Sequence, residues 1–374
     1  MDIRKVVGFL VGGFFAIQAH ADVWQGELGG APVVMEWSVD NEGEVDGHYF
    51  YRQFHSDIAL TGTRDVQGAL SLSESLGGGE RRVDLVLRPS GTGWVGEWRE
   101  PKTQRMLPVT LAPLTMSGEQ GAGADAEERI GDYNRARLAD LRLKRVGEQV
   151  FHGYRLAWWE ESVSRVRWFR LESGYSADAM ARLNRMLEKW QWRAVVDAFE
   201  CVAGAQGSDL GEYQQVVIPR LLTPRVVSMS VETSVFCGGA HPDFGDAPLN
   251  VDVLSGRQLR LEDVLWLGRG TPQEVRDDNG QLKDANYENN VLQPWLASTF
   301  GKLYPREMDN EEGGVCDYRD PGVWSSSSWY LTSKGVQIGA FFARAEKACD
   351  NPAWSLLPWG LVRKHPGLLT SFLP

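Results

Sequence analysis

The chain has 374 residues, 43% of them hydrophobic and 24% charged, with a formal net charge of −11. That is enough apolar material for two or three domains, and the acidic balance excludes the basic face that nucleic acid or an anionic lipid surface would need. Beyond residue 17 no stretch reaches eighteen consecutive apolar residues, so no membrane span is expected.

Residues 1–21 carry a basic start (Arg4, Lys5), an apolar run from Val6 to Ile17, and Ala19-His20-Ala21 as a small-x-small cleavage site. This pattern predicts a secretory signal peptide. The mature chain would then begin near Asp22, periplasmic or secreted, with a charge of about −12 once Asp2, Arg4 and Lys5 are removed. No cysteine follows the apolar run, which argues against a lipid anchor there.

Residues 22–115 read as an all-β module. Short alternating segments around Val33, Val45, Ile58, Leu70, Leu85, Trp94 and Leu107 recur at roughly ten-residue spacing with Gly-rich turns, the pattern of a small antiparallel sandwich or barrel. Residues 116–128 are small, polar and acidic without any period, and read as a linker.

From residue 129 to 374 the two element types mix. Val166 to Leu171 reads as a strand. Ser176 is a good helix N-cap, with Asp178 in the first turn; Leu183, Leu187, Trp190 and Ala194 then mark one helical face, ending near Cys201. Strands follow over 213–218, 226–236 and 251–254, and a short helical turn over 262–267. A second amphipathic helix is spaced by Val291, Trp295, Leu296 and Phe300. A hairpin turns around Ser333-Lys334-Gly335. The expected fold class is α+β: an all-β sandwich or barrel, then a mixed domain with an antiparallel sheet and about two main helices.

Four cysteines, Cys201, Cys237, Cys316 and Cys349, fit two disulfides in an oxidising compartment. Three connectivities are open; nearest-in-order pairing favours Cys201 with Cys237 and Cys316 with Cys349. No C-x-x-C and no zinc-finger spacing is present, so neither a metal nor a cofactor is expected.

One stretch is more specific. Val227, Met229, Val231, Thr233 and Val235 alternate with Ser228, Ser230, Glu232 and Ser234, the signature of a half-buried strand. Gly238-Gly239-Ala240-His241-Pro242 follows, then Asn250-Val251-Asp252, Ser255-Gly256 and Leu259 to Val264. In that order, with Trp329 to Thr332, Gly335-Val336 and a late Pro358 with Leu361-Val362 as a closing hairpin and final strand, residues from about 149 to 373 resemble one known extracellular domain. It is shared by lysozyme-sensing anti-sigma factors of the RsiV type and by some peptidoglycan deacetylases. The resemblance covers about 60% of the chain and leaves the β-module outside. It implies a module that recognises a lysozyme-like protein or peptidoglycan rather than one that turns a substrate over.

The site candidates are few. Gly238 and Gly239 supply positive φ and Pro242 holds His241 extended, which is a structural motif. His241 is the chemical candidate, since an imidazole can donate, accept or ligate. Asp243, Asp246 and Asp252 are near enough to it in sequence to serve as capping partners or to form a weak cation site with it. Trp324 and Trp329 flank Ser325 to Ser328 and could stack on sugar rings, against the ordinary expectation that a tryptophan fills a core. No G-x-S-x-G, H-E-x-x-H, P-loop or G-x-G-x-x-G occurs, and no glycosidase carboxylate pair stands out. The expected function is therefore non-enzymatic envelope recognition. The alternative is a cell-wall hydrolase or deacetylase accessory with catalysis around His241.

Overall fold

The computed structural model describes residues 22–75, 81–100, 102–115, 130–205, 211–277, 281–309, 315–325 and 328–374. The expected signal peptide (1–21) and linker (116–128) lie outside them. The chain divides into two compact units, Met1–Asp140 and Leu141–Pro374.

In the first unit, eight antiparallel strands pair in chain order and close into a barrel: β1 Asp22–Leu28, β2 Ala31–Val39, β3 Glu44–Tyr51, β4 Asp57–Arg64, β5 Leu70–Ser75, β6 Arg81–Ser90, β7 Gly93–Arg99 and β8 Met106–Pro113. β8 returns to β1 through Trp24↔Pro113 to Leu28↔Val109. Side chains alternate across each strand, so Val33, Met35, Tyr49, Leu70 and Leu72 fill the interior. Glu74 continues the inward row of β5. It accepts the Tyr49 hydroxyl and the Trp98 indole N–H, each at 2.6 Å.

The same alternation turns Val34 and Phe50 outward, yet both are fully buried. The helix α1, Asp132–Leu138, covers them with Tyr133 and Ala136. Arg137 is 0% exposed; its guanidinium donates to both oxygens of Asp57 at 2.5 and 2.6 Å and lies 5.2 Å from the Phe50 and Tyr133 rings. The Tyr133 hydroxyl donates to Asp57 as well, at 2.6 Å. α1 falls within residues that the sequence assigns to the second domain, but it belongs to the barrel unit. Two apolar residues and an arginine are too little periodicity to announce it.

The second unit opens with β9 Leu143–Phe151, β10 Tyr154–Glu161 and β11 Arg167–Leu171, in sheet order β11-β10-β9. β9 and β10 join through His152 and Gly153, both at positive φ, as a tight two-residue hairpin turn requires. The register shifts opposite Trp158 and Trp159, where Val146 is the extra residue of a bulge on β9. Helix α2, Ala177–Gly204, is capped by the Ser176 side chain, which accepts from the Ala179 N–H, and it buries Leu183, Leu187 and Ala194.

Next come β12 Glu212–Leu222, β13 Val226–Phe236, β14 Asp243–Asp246 and β15 Leu249–Asp252. β12 and β14 flank β13, and β15 pairs the first half of β13. β12 carries Pro219 beside a register shift between Pro219 and Leu221. Helix α3, Gln293–Leu303, buries Leu296 and Phe300 completely. β16 Trp329–Leu331, β17 Gly335–Ile338 and β18 Leu356–Pro358 form the last sheet. Residues Trp359–Val362 are a helical turn, where a final strand was expected. Cys201 is bonded to Cys237 and Cys316 to Cys349. Mixed strands and few helices make the chain α+β and mostly β. Among the described residues, no helix is long and apolar enough to cross a membrane.

Candidate functional site

β13 builds the site because its polar face is covered along only half its length. Ser228 and Ser230 are 0% exposed, contrary to the half-buried alternation expected there. Ser228 donates to Asn250 Oδ1 at 2.6 Å and accepts the Leu331 N–H at 2.9 Å, while Asn250 Nδ2 donates to the Trp329 carbonyl. The C-terminal sheet thus sits on this face, and each buried polar atom needed a partner. Beyond Ser230 the cover stops, and Glu232 and Ser234 open onto a cleft of about 530 Å³.

Cross-strand pairing sets the cleft floor. Gln214, Ser234 and Phe244 make one row; Val216, Glu232 and Asp246 make the next. Ser328, Tyr330, Gln337, Asp350 and Asn351 line the remainder. Arg220 closes one end, donating from Nε to Ser230 Oγ (2.7 Å) and from Nη2 to Glu232 Oε1 (2.9 Å). Its guanidinium lies 4.6 Å from the Tyr330 ring centre.

Electrostatics distinguish the acids. Burial, helped by the Glu232 charge, pushes the Asp246 carboxyl up to about 6, against the opposing Val231 amide and Arg220. Burial raises Asp350 too, although the Phe342 N–H donates to it at 2.7 Å. Asn351 has φ +50, and its Oδ1 is buried with no hydrogen-bond partner among the described residues.

The Gly-Gly-Ala-His-Pro elbow joins β13 to β14 and is not among the residues that line the cleft. Gly238 and Gly239 both have φ +89. At Gly238 a Cβ would stand 2.4 Å from the Gly204 carbonyl, so glycine is required twice over; at Gly239 only the backbone angle demands it. The Cys201–Cys237 bond fixes the elbow to the end of α2. From the other side, Arg344 donates to the carbonyls of His241 (3.4 Å) and Pro242 (3.2 Å), and Lys347 meets Asp243 at 2.7 Å. That lysine bond holds the Asp243 carboxyl below its ordinary value. Cys349, bonded to Cys316, anchors the segment carrying Arg344 and Lys347.

The expected site residues are thus dispersed. The His241 ring is exposed and has no hydrogen-bond partner among the described residues, so nothing orients it as a base. Asp252 is buried elsewhere, bonded to Arg225 Nε (2.6 Å) and Ser255 Oγ (2.7 Å); although burial opposes it, these bonds lower its carboxyl. Among the described residues no group of three or more His, Cys, Asp or Glu is placed to hold a metal ion. Trp324 and Trp329 are core residues, 0% and 8% exposed, and cannot stack on a ligand. Trp324 donates to the Tyr318 carbonyl at 2.9 Å and packs 4.6 Å from Phe300. The aromatic residues that do line the cleft are Tyr330 and Phe244. Arg220, Glu232, Tyr330, Gln337 and Asn351 went unnoticed in the sequence; the Ser-Ser-Glu-Ser alternation was the signal that could have found the floor. Compared with protein-family models and with curated proteins, the chain matches none.

Proposed function

We propose that this is an exported envelope protein that recognises peptidoglycan glycan in the cleft over the open half of β13, without turning it over. The carrying observation is the convergence of carboxylates, amides and hydroxyls (Glu232, Asp246, Gln214, Gln337, Ser234) beside two aromatic rings, Tyr330 and Phe244. Sugar rings present many hydroxyls that donate and accept, and such a wall matches them at fixed positions. Two disulfides agree with life in an oxidising compartment, and the export signal and the RsiV-type resemblance point the same way. A basic lysozyme-like protein is the second reading, favoured by the net charge of −11, which would steer it electrostatically.

The test is sedimentation of purified protein with peptidoglycan, beside a lysozyme pull-down. Co-sedimentation that Arg220→Ala weakens about tenfold supports the glycan reading, because that change frees Glu232 and uncovers Tyr330. Capture by lysozyme alone selects the second reading. Binding to neither sinks both.

A further inference from the structure

A second hollow, about 460 Å³, lies against β12, whose Gln214 and Val216 border both. Five consecutive residues of β12, 213–217, line it. Consecutive lining means that a backbone edge, not one side-chain face, borders the space. β12 is the terminal strand of its sheet and β11 the terminal strand of the neighbouring one. Among the described residues no strand pairing or backbone hydrogen bond joins them. The Trp168 indole N–H donates across to Gln215 Oε1 at 2.8 Å. An edge whose N–H and C=O groups open onto a groove is a template for an added strand.

The groove also carries a charge preference. Arg167 lies 4.8 Å over the Trp158 ring and has no carboxylate partner among the described residues. Arg165 stands beside it, paired with Glu160 at 3.2 Å. Two guanidiniums against one carboxylate leave a net positive charge there, in a protein that is acidic overall. A guanidinium already fixed on an aromatic ring loses little freedom when it takes a carboxylate in its fork.

We infer that the two hollows form one bipartite site for a glycan carrying an acidic peptide branch. The glycan occupies the cleft, and the branch lies extended along the outer edge of β12 with a carboxylate on Arg167. The inference rests on the glycan reading of the cleft and adds the ligand's second half. Val216, 45% exposed between the hollows, is the point where sugar and peptide would meet.

Calorimetry on the full-length protein with three probes tests this. One is a peptide-free N-acetylglucosamine tetramer, one a disaccharide–tetrapeptide fragment of peptidoglycan, and one that fragment with its peptide carboxylates amidated. The acidic fragment should bind about tenfold more tightly than the amidated one, and Arg167→Ala and Arg167→Glu should abolish that preference while leaving the tetramer's affinity unchanged. Arg167 is exposed, so neither change threatens the fold. Equal affinity for both fragments, or a preference that survives Arg167→Glu, overturns the bipartite site while a binding tetramer leaves the cleft reading standing. Failure of every probe to bind overturns both.

Discussion

The barrel and the sheet around β13 obey the same alternation rule but treat their edges oppositely. In the barrel every strand has two neighbours, because β8 closes onto β1, and the outward Val34 and Phe50 are sealed under α1. In the second unit β11 and β12 keep an open edge, and the polar face of β13 is covered only as far as Ser230. Complete pairing satisfies the backbone and leaves it nothing to offer a ligand; incomplete pairing leaves donors, acceptors and charged side chains at fixed spacing.

Four substitutions break or sharpen that contrast, in decreasing order of effect. Arg137→Ala removes the charged partner of Asp57, leaving it the Tyr133 hydroxyl, and opens the seal on the barrel; it should cost about 3–5 kcal/mol in denaturant unfolding, with ligand binding intact wherever the second unit stays folded. Gly238→Ala sets a Cβ against the Gly204 carbonyl at φ +89, and should cost about 2–3 kcal/mol, read as a lower melting temperature.

Asp246→Asn tests the cleft by pH. The folded carboxyl is raised to about 6 from an unfolded value near 3.8, so the folded state holds its proton more tightly. The wild type should therefore lose stability as pH rises from about 4 to 6, by about 1 kcal/mol after allowance for partial exposure. The Asn variant should lack that slope, and an unchanged slope in parallel melts would refute the burial of Asp246. Last, His241→Ala should shift stability by less than about 0.5 kcal/mol, since the ring is exposed and unpartnered among the described residues. A large loss of function in this variant would restore the histidine as a chemical centre.

The contrast also sets what the sequence could disclose. Barrel strands, the Ser176-capped helix and the β16–β17 hairpin rest on local periodicity, which a sequence carries directly, and so were legible in outline. Sandwich and barrel share one local pattern; only the β1–β8 pairing decides between them. The cleft was illegible for the same reason. Glu232 and Ser234 looked like an ordinary solvated face, because the residues opposite them, Tyr330 and Gln337, lie about a hundred positions later. Tryptophans drew attention by size, yet Trp324 and Trp329 do what large apolar rings usually do, and fill a core.

Pro219 carries a consequence for how copies of the protein meet one another. An open edge is an invitation to self-pairing, and two copies of β12 could in principle zip antiparallel into a continuous ribbon. Proline lacks the amide that such a ribbon needs, and the register shift beside it kinks the strand, so the regular edge ends after Ile218. What remains regular for a guest strand is residues 212–218. Pro219→Val would remove that guard, and light scattering across a concentration series should then show self-association that the wild type does not.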